Sequence, residues 1–265
     1  MSWRPVCYDY DGTFPGFLTC VFDSYAHREE PMCFLAPEDG EYPLWECRRV
    51  DTDRVKAGRV YRSIPKRMST PAARLVYRAF LTCLPQRELH MWHFLRYGYE
   101  KGPEIMRDLA DQRVYTLNRA VHHLEQEAHL YTGFVRFSDY EGVLIGEIEP
   151  KNRVLPLLRG HFVGRYNAER LILHDRTHRE ALVYQPGRSA IVPLEELSLG
   201  PAEEGERRCR ALWRRFFDTV AIEGRYNPRC QNTHLPKRYR GMMTEFQGDD
   251  GEWTMAAPER ERPPK

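Results

Sequence analysis

Around Tyr131 the apolar spacing of this chain changes from a helical to an extended period, and no single regular architecture accommodates both halves. Before that point, Leu75, Val76, Ala79 and Phe80, then Leu89, Trp92 and Leu95, then Leu117, Val121, Leu124 and Ala128 recur three and four residues apart. Ser69-Thr70-Pro71 opens the first of these helices with a capping hydroxyl and a proline whose missing N–H costs nothing in the first turn. Pro85, Gly98 and Gly102-Pro103 are read as breaks, so the region from about 70 to 130 is expected to be helical. After Tyr131, the runs Gly133–Phe137, Val143–Ile148, Leu171–His174 and Ala181–Tyr184 are short and rich in Val, Ile and aromatic residues. Asp-Tyr-Glu-Gly, Asp-Arg-Thr-His and Pro-Gly turns separate these runs, which predicts two hairpins with a helix over Pro156–Tyr166 between them. The segregation of helices from an antiparallel sheet built from hairpins argues for an α+β fold.

Near the N-terminus, Val6–Tyr10 reads as a strand that ends at Asp11-Gly12. A buried helix follows through Phe17, Leu18, Val21 and Phe22, and Met32–Leu35 returns as a second strand. At the other end, Cys209, Leu212, Trp213, Phe216, Phe217 and Val220 form an apolar stripe with Arg207, Arg208, Arg210, Arg214 and Arg215 around it, which predicts a helix that packs on the stripe and exposes its arginines. With 42% hydrophobic residues the chain has enough apolar surface for a folded body. One compact α+β domain over residues 1–247 is expected, with residues 205–240 as its basic C-terminal segment and 248–265 as a disordered tail.

Charge is unevenly placed. Residues 205–240 hold ten Lys/Arg against three Asp/Glu, a balance of +7 in a chain of formal charge +2, so the remainder sums to −5. A cationic end on an acidic body attracts polyanions directionally. Taken alone, the arginines of 207–215 are better explained by a solvated helix face. The following residues favour nucleic acid, because cations there alternate with aromatic and amide side chains: Arg225, Tyr226, Asn227, Arg229, Gln231, then Lys237, Arg238, Tyr239 and Arg240. Arginine and lysine hold phosphates while tyrosines stack on bases. Arg207, Arg214 and these nine residues are the expected nucleic-acid contacts.

Catalytic signals are sparse. Glu127, His129 and Arg136 lie at the helix-to-strand junction, in EAHLYTGFVRF, and are the candidate acid/base or phosphate-holding groups. On a continuous helix Glu127 and His129 point apart. Arg136 anchoring the Glu127 carboxylate in a structural pair is an equal alternative. Asp11 and Gly12 mark either a phosphate loop or a plain turn in which Asp11 holds amides of the next helix. No P-loop, GxGxxG, GxSxG or zinc-deaminase pattern occurs, and no metal or cofactor is expected. The seven cysteines are never closer than thirteen residues and read as reduced thiols, and no stretch approaches a membrane span or a secretory leader, so a cytoplasmic protein is expected.

The opening YDGTFPGFLTCVFDSYAHREEP, the junction EAHLYTGFVRF, the run IEPKNRVLPLLRGHFVGRYN and the ending LWRRFFDTVAIEGRYNPRCQNTHLPKRYRGMMTEF resemble a bacterial family of DNA metabolism proteins. Members are encoded beside a DNA-repair radical SAM protein, and some are fused to a uracil-DNA-glycosylase-like domain. The likeness runs from Tyr8 to about Phe246, so that extra domain is not expected here. The resemblance implies a DNA-handling pathway and a radical SAM partner rather than a reaction. It points to Asp11, Gly12 and Phe17; to Glu127, Gly133, Phe134, Arg136 and Phe137; and to Arg225, Asn227, Pro228, Gln231, Pro236, Tyr239 and Glu245. Arg240 departs from the pattern, standing where an aromatic residue is expected. The sequence leaves three roles open: a DNA-binding partner of the radical SAM enzyme, a DNA-modifying enzyme in its own right, and a protein adaptor of that partner.

Overall fold

The structure, a computed structural model, describes residues 3–37, 47–225 and 227–247. It is α+β, and its contacts group into two compact units that divide between Gln126 and Glu127. The expected tail, 248–265, lies outside the described residues.

In the first unit, strand β1 (Arg4–Asp9) leads into helix α1 (Phe14–His27), and the chain returns as β2 (Glu29–Leu35). Because a helix carries the chain back to the starting edge, β1 and β2 are parallel, and β3 (Cys47–Arg49) adds in parallel on the other side of β1. Val6, Cys7 and Tyr8 are all buried, as a central parallel strand covered on both faces requires. The second strand begins three residues before the expected Met32, because Arg28 turns the chain in a left-handed conformation directly after α1. Helices α2 (Arg54–Arg67), α3 (Thr70–Phe80) and α4 (Arg87–Lys101) complete this unit's core around Phe17, Ile64, Val76, Trp92 and Leu95. Ser69 caps α3 as the sequence predicts, accepting from the Ala72 amide. Gly98 does not break α4. A side chain there would run into the Met68 thioether, so the glycine permits close packing inside a continuous helix.

Buried charge in this unit is paired. Arg48 grips Glu29 through Nη1 at 2.9 and 2.8 Å, Tyr8 donates to the same carboxylate at 2.7 Å, and Lys56 holds Asp23 at 2.8 Å. Cys7 and Cys33, register partners on β1 and β2, form a disulfide. This corrects the expectation of seven reduced thiols: parallel pairing brings together two residues whose sequence separation of 26 gives no hint of contact. Thiol titration of the unfolded, unreduced chain should therefore count five groups, and a count of seven would contradict the bond.

Helix α5 (Gln112–Phe134) runs through the boundary between the units. The second unit holds β4 (Ser138–Tyr140), β5 (Val143–Ile148), α6 (Leu155–Arg165), β6 (Arg170–Asp175), β7 (Glu180–Gln185) and β8 (Arg188–Pro193), followed by α7 (Glu204–Val220) and α8 (Pro228–His234). Strand order is β4-β5-β6-β7-β8, with antiparallel pairs except for the parallel β5–β6 pair at the centre. The second predicted hairpin is β6–β7, and β4–β5 stands where the first is expected, with Ser138–Tyr140 in place of Gly133–Phe137 as its first strand. The helix between them, α6, makes their adjoining strands parallel, because a helical crossover starts each strand from the same end. The expected strand at Gly133–Phe137 is corrected: α5 continues to Phe134, and the extended pairing starts at Ser138. Leu155, Leu158 and Phe162 of α6 are buried, and Phe137 packs edge-on against Phe162 and Tyr166.

Candidate nucleic-acid interface

Because α5 stays helical past Glu127, the candidate catalytic residues diverge. His129 is exposed and joins no other candidate. Glu127 is 3% exposed and plugs the turn after β5. Its Oε1 accepts from the Lys151 amide (3.1 Å), and its Oε2 accepts from the Asn152 amide (2.9 Å) and the Asn152 side-chain amide (2.6 Å). Arg238 completes the shell at 3.2 Å from Oε1. Amides beyond the carboxyl end of a parallel strand are where open α/β sheets bind anions. In this unit that position is filled by the chain's own carboxylate.

Arg136 belongs to a separate lock. It clamps Glu245 bidentately, Nη2 to Oε1 at 2.7 Å and Nε to Oε2 at 3.1 Å, while its Nη1 donates to the Gly133 carbonyl. Trp213 of α7 donates its indole N–H to the same carboxylate at 3.0 Å. Burial alone would raise the Glu245 carboxyl, but the hydrogen bonds from Arg136 and Trp213 outweigh it and hold the group below the usual glutamate range. The alternative pairing of Arg136 with Glu127 is corrected: the cation on Glu127 is Arg238, and the acid on Arg136 is Glu245. Both partners stand more than a hundred residues away along the chain and carry no local motif. Glu245 is reached in the sequence only through the family resemblance, and Asn152 is the site member that the sequence reading misses, although it falls within a run that carries the resemblance.

Asp11 and Gly12 form a turn. Asp11 Oδ1 accepts from the Thr13 amide and hydroxyl, Oδ2 accepts from Thr52 at 2.6 Å, and Gly12 takes φ +72°. Desolvation opposes the Asp11 charge, yet the Thr52 and Thr13 hydrogen bonds lower its carboxyl below the ordinary value. The Thr13 hydroxyl caps α1 by accepting from Gly16.

Helix α7 reverses the sequence expectation. Glu206, Arg210, Arg214 and Phe217 are its partly buried residues, whereas Leu212, Phe216 and Val220 are 58%, 57% and 57% exposed. Arg210 turns toward β4 because partners await it there: Glu206 at 2.8 Å, the Ser138 hydroxyl at 2.7 Å and Tyr140 at 3.3 Å. Phe217 packs on Phe246, and Arg214 reaches the Gln247 carbonyl at 3.5 Å. The apolar stripe is therefore about a quarter turn away from the packed face and stands in solvent, beside the exposed Arg208 and Arg215.

The remaining expected contacts separate into two groups. Tyr239 is buried beneath Tyr131 and Phe134, with ring centres 5.0 and 5.2 Å away, so its expected stacking on bases is corrected. Arg238 is held by Glu127 and the Tyr239 hydroxyl, and Arg240 by Asn232, the Leu235 carbonyl and the Phe246 ring. Asn227 caps α8, accepting from the Cys230 amide. Gln231 is partly buried in that helix. Tyr226 lies outside the described residues. Arg207, Arg208, Arg215, Arg225, Arg229 and Lys237 are exposed and have no carboxylate partner among the described residues.

Residues 85–245 match the family described as a domain of unknown function, DUF4130, which covers more than half of the chain. The chain belongs to the DUF4130 family. No curated protein matches it. The DUF4130 match spans the Glu127 plug, the Arg136–Glu245 lock and helix α7, and it begins after α3, so β1 to α3 lie outside it. Among the described residues no helix is long and apolar enough to cross a membrane, and no three metal-ligating side chains gather.

Proposed function

We propose that this DUF4130 protein binds nucleic acid through its second unit, as a DNA-repair or DNA-metabolism protein that serves a radical SAM enzyme. One observation carries the binding reading: Arg207, Arg208, Arg215, Arg225, Arg229 and Lys237 stand in solvent without carboxylate partners among the described residues. Uncompensated surface cations release counterions from a phosphate backbone, whereas paired ones have already spent most of that attraction. The radical SAM partner and the repair context come from the sequence resemblance alone. Glu127 and Arg136 support a binding role over an independent enzyme, because each is committed to holding its own segment in place.

The adaptor reading keeps one specific support, the exposed stripe of Leu212, Phe216 and Val220 on α7. Solvent-facing apolar rows of this kind are a feature of protein-docking helices. Mobility shifts on single- and double-stranded DNA at low salt separate the two readings. Binding supports the nucleic-acid role. Absence of any shift, together with nuclease-insensitive co-purification of a protein that is lost in a Leu212→Asp/Phe216→Asp variant, supports the adaptor.

A further inference from the structure

A cavity of about 710 Å³ opens in the first unit between α1, α2 and α4, lined by Phe22, Tyr25, Arg59, Ser63, Arg67 and Tyr99, with the buried Val21 and Val60 at its apolar base. Its size lies within the range of small-molecule sites. Arg59, Ser63 and Arg67 recur every four residues along α2 and therefore share one face. Among the described residues no acid lines the cavity and neither arginine has an ion-pair partner. The neighbouring cation Lys56, by contrast, is neutralised by Asp23. Facing this basic stripe are aromatic surfaces: Tyr25 stands edge-on to Tyr99 with ring centres 5.9 Å apart, and the Arg59 guanidinium lies 5.1 Å from the Phe22 ring centre. The Ser63 and Tyr99 hydroxyls touch at 2.6 Å and offer a polar pair beside the rings. Burial pushes the Tyr25 hydroxyl up to about 12.

We propose that this cavity binds a nucleotide, with the base against Tyr25 and Tyr99 and the phosphate held by Arg59 and Arg67. Two uncompensated guanidiniums match the charge of a phosphate monoester, which is close to −2 at neutral pH, and arginine is the side chain suited to planar, bidentate phosphate contact. Aromatic walls favour a flat ring over an aliphatic acid. All groups belong to the first unit, largely outside the DUF4130 match, and the inference does not rest on the nucleic-acid reading of the second unit.

Calorimetric titration of the full chain with AMP, adenosine and inorganic phosphate at low salt tests this. AMP is expected to bind saturably, and both fragments at least about tenfold more weakly, since neither makes both sets of contacts. An Arg59→Ala/Arg67→Ala variant, altered only at exposed positions, should lose AMP binding by about tenfold or more while adenosine binding moves little. Tyr25→Ala should weaken AMP and adenosine together. Competition by the dinucleotide pApA at equal strength assigns the site to a strand end, and failure to compete assigns it to a free nucleotide; both support the same ligand chemistry. Retained AMP affinity in the Arg59→Ala/Arg67→Ala variant, or no saturable binding up to about 10 mM, overturns the proposal. An Arg207→Ala/Arg208→Ala/Arg215→Ala variant should leave AMP binding unchanged, which keeps failure here distinct from failure of the DNA reading.

Discussion

Glu127→Ala is expected to destabilise the second unit by about 2–4 kcal/mol, the cost of leaving buried amide donors without their acceptor. The loss is concentrated in three donors. The Lys151 amide, the Asn152 amide and the Asn152 side-chain amide all converge on this carboxylate, and a methyl group returns none of those bonds. Arg238 is partly exposed and can turn to water, so it contributes less to the penalty. Glu127→Gln keeps acceptor oxygen in the plug and should cost clearly less than Glu127→Ala. Denaturant unfolding of the two variants measures the difference. A catalytic role makes the opposite prediction, with both variants folded like the parent and both inactive. Equal stability of Glu127→Ala and parent would remove the structural account of this residue.

Glu245→Ala is expected to cost about 2–3 kcal/mol, because the partly buried Arg136 guanidinium loses its bidentate acceptor and the Trp213 indole N–H loses its partner. The consequence is also positional. Glu245 ties the segment after α5 and the middle of α7 to the C-terminal 3-10 turn Thr244–Phe246, so its loss loosens the helix that carries Arg207, Arg208 and Arg215. The pH dependence follows from the lowered carboxyl of Glu245. A depressed folded-state value stabilises the fold above the unfolded glutamate value of about 4.3 and loses that contribution as pH falls through the folded value. The stability gap between parent and Glu245→Gln should therefore be constant from neutrality to about pH 5 and narrow below about pH 4. A gap that widened on acidification would contradict the pairing.

Much of the fold is legible where its signals are local. Ser69-Thr70-Pro71, the apolar rows of α3 and α5 and the turn at Asp175–Arg179 each depend on neighbours within a few residues. The parallel sheet β2-β1-β3 was hidden because its pairing is long-range, and β3 has only three residues. Helix α2 was hidden as well, since its buried residues are only Ala57, Val60 and Ile64 in a run dominated by charge. Helix α7 shows a different limit. Its amphipathic row was read correctly, but the row does not say which side the body takes, and Arg210 and Phe217 outcompete Leu212 and Phe216 because hydrogen-bond and ring partners await them. The plug at Glu127 depends on backbone amides, which carry no residue code at all.

Unpaired cations on the second unit are proposed to hold a phosphate backbone. Fluorescence anisotropy of a labelled single-stranded oligonucleotide, measured from about 50 to 200 mM salt, tests it most directly. Parent protein should show affinity falling steeply with salt. An Arg207→Ala/Arg208→Ala/Arg215→Ala/Arg229→Ala variant should bind more weakly with a slope shallower by about 3, near 0.7 for each lost phosphate contact. An unchanged slope in that variant, or parent affinity indifferent to salt, would contradict the claim.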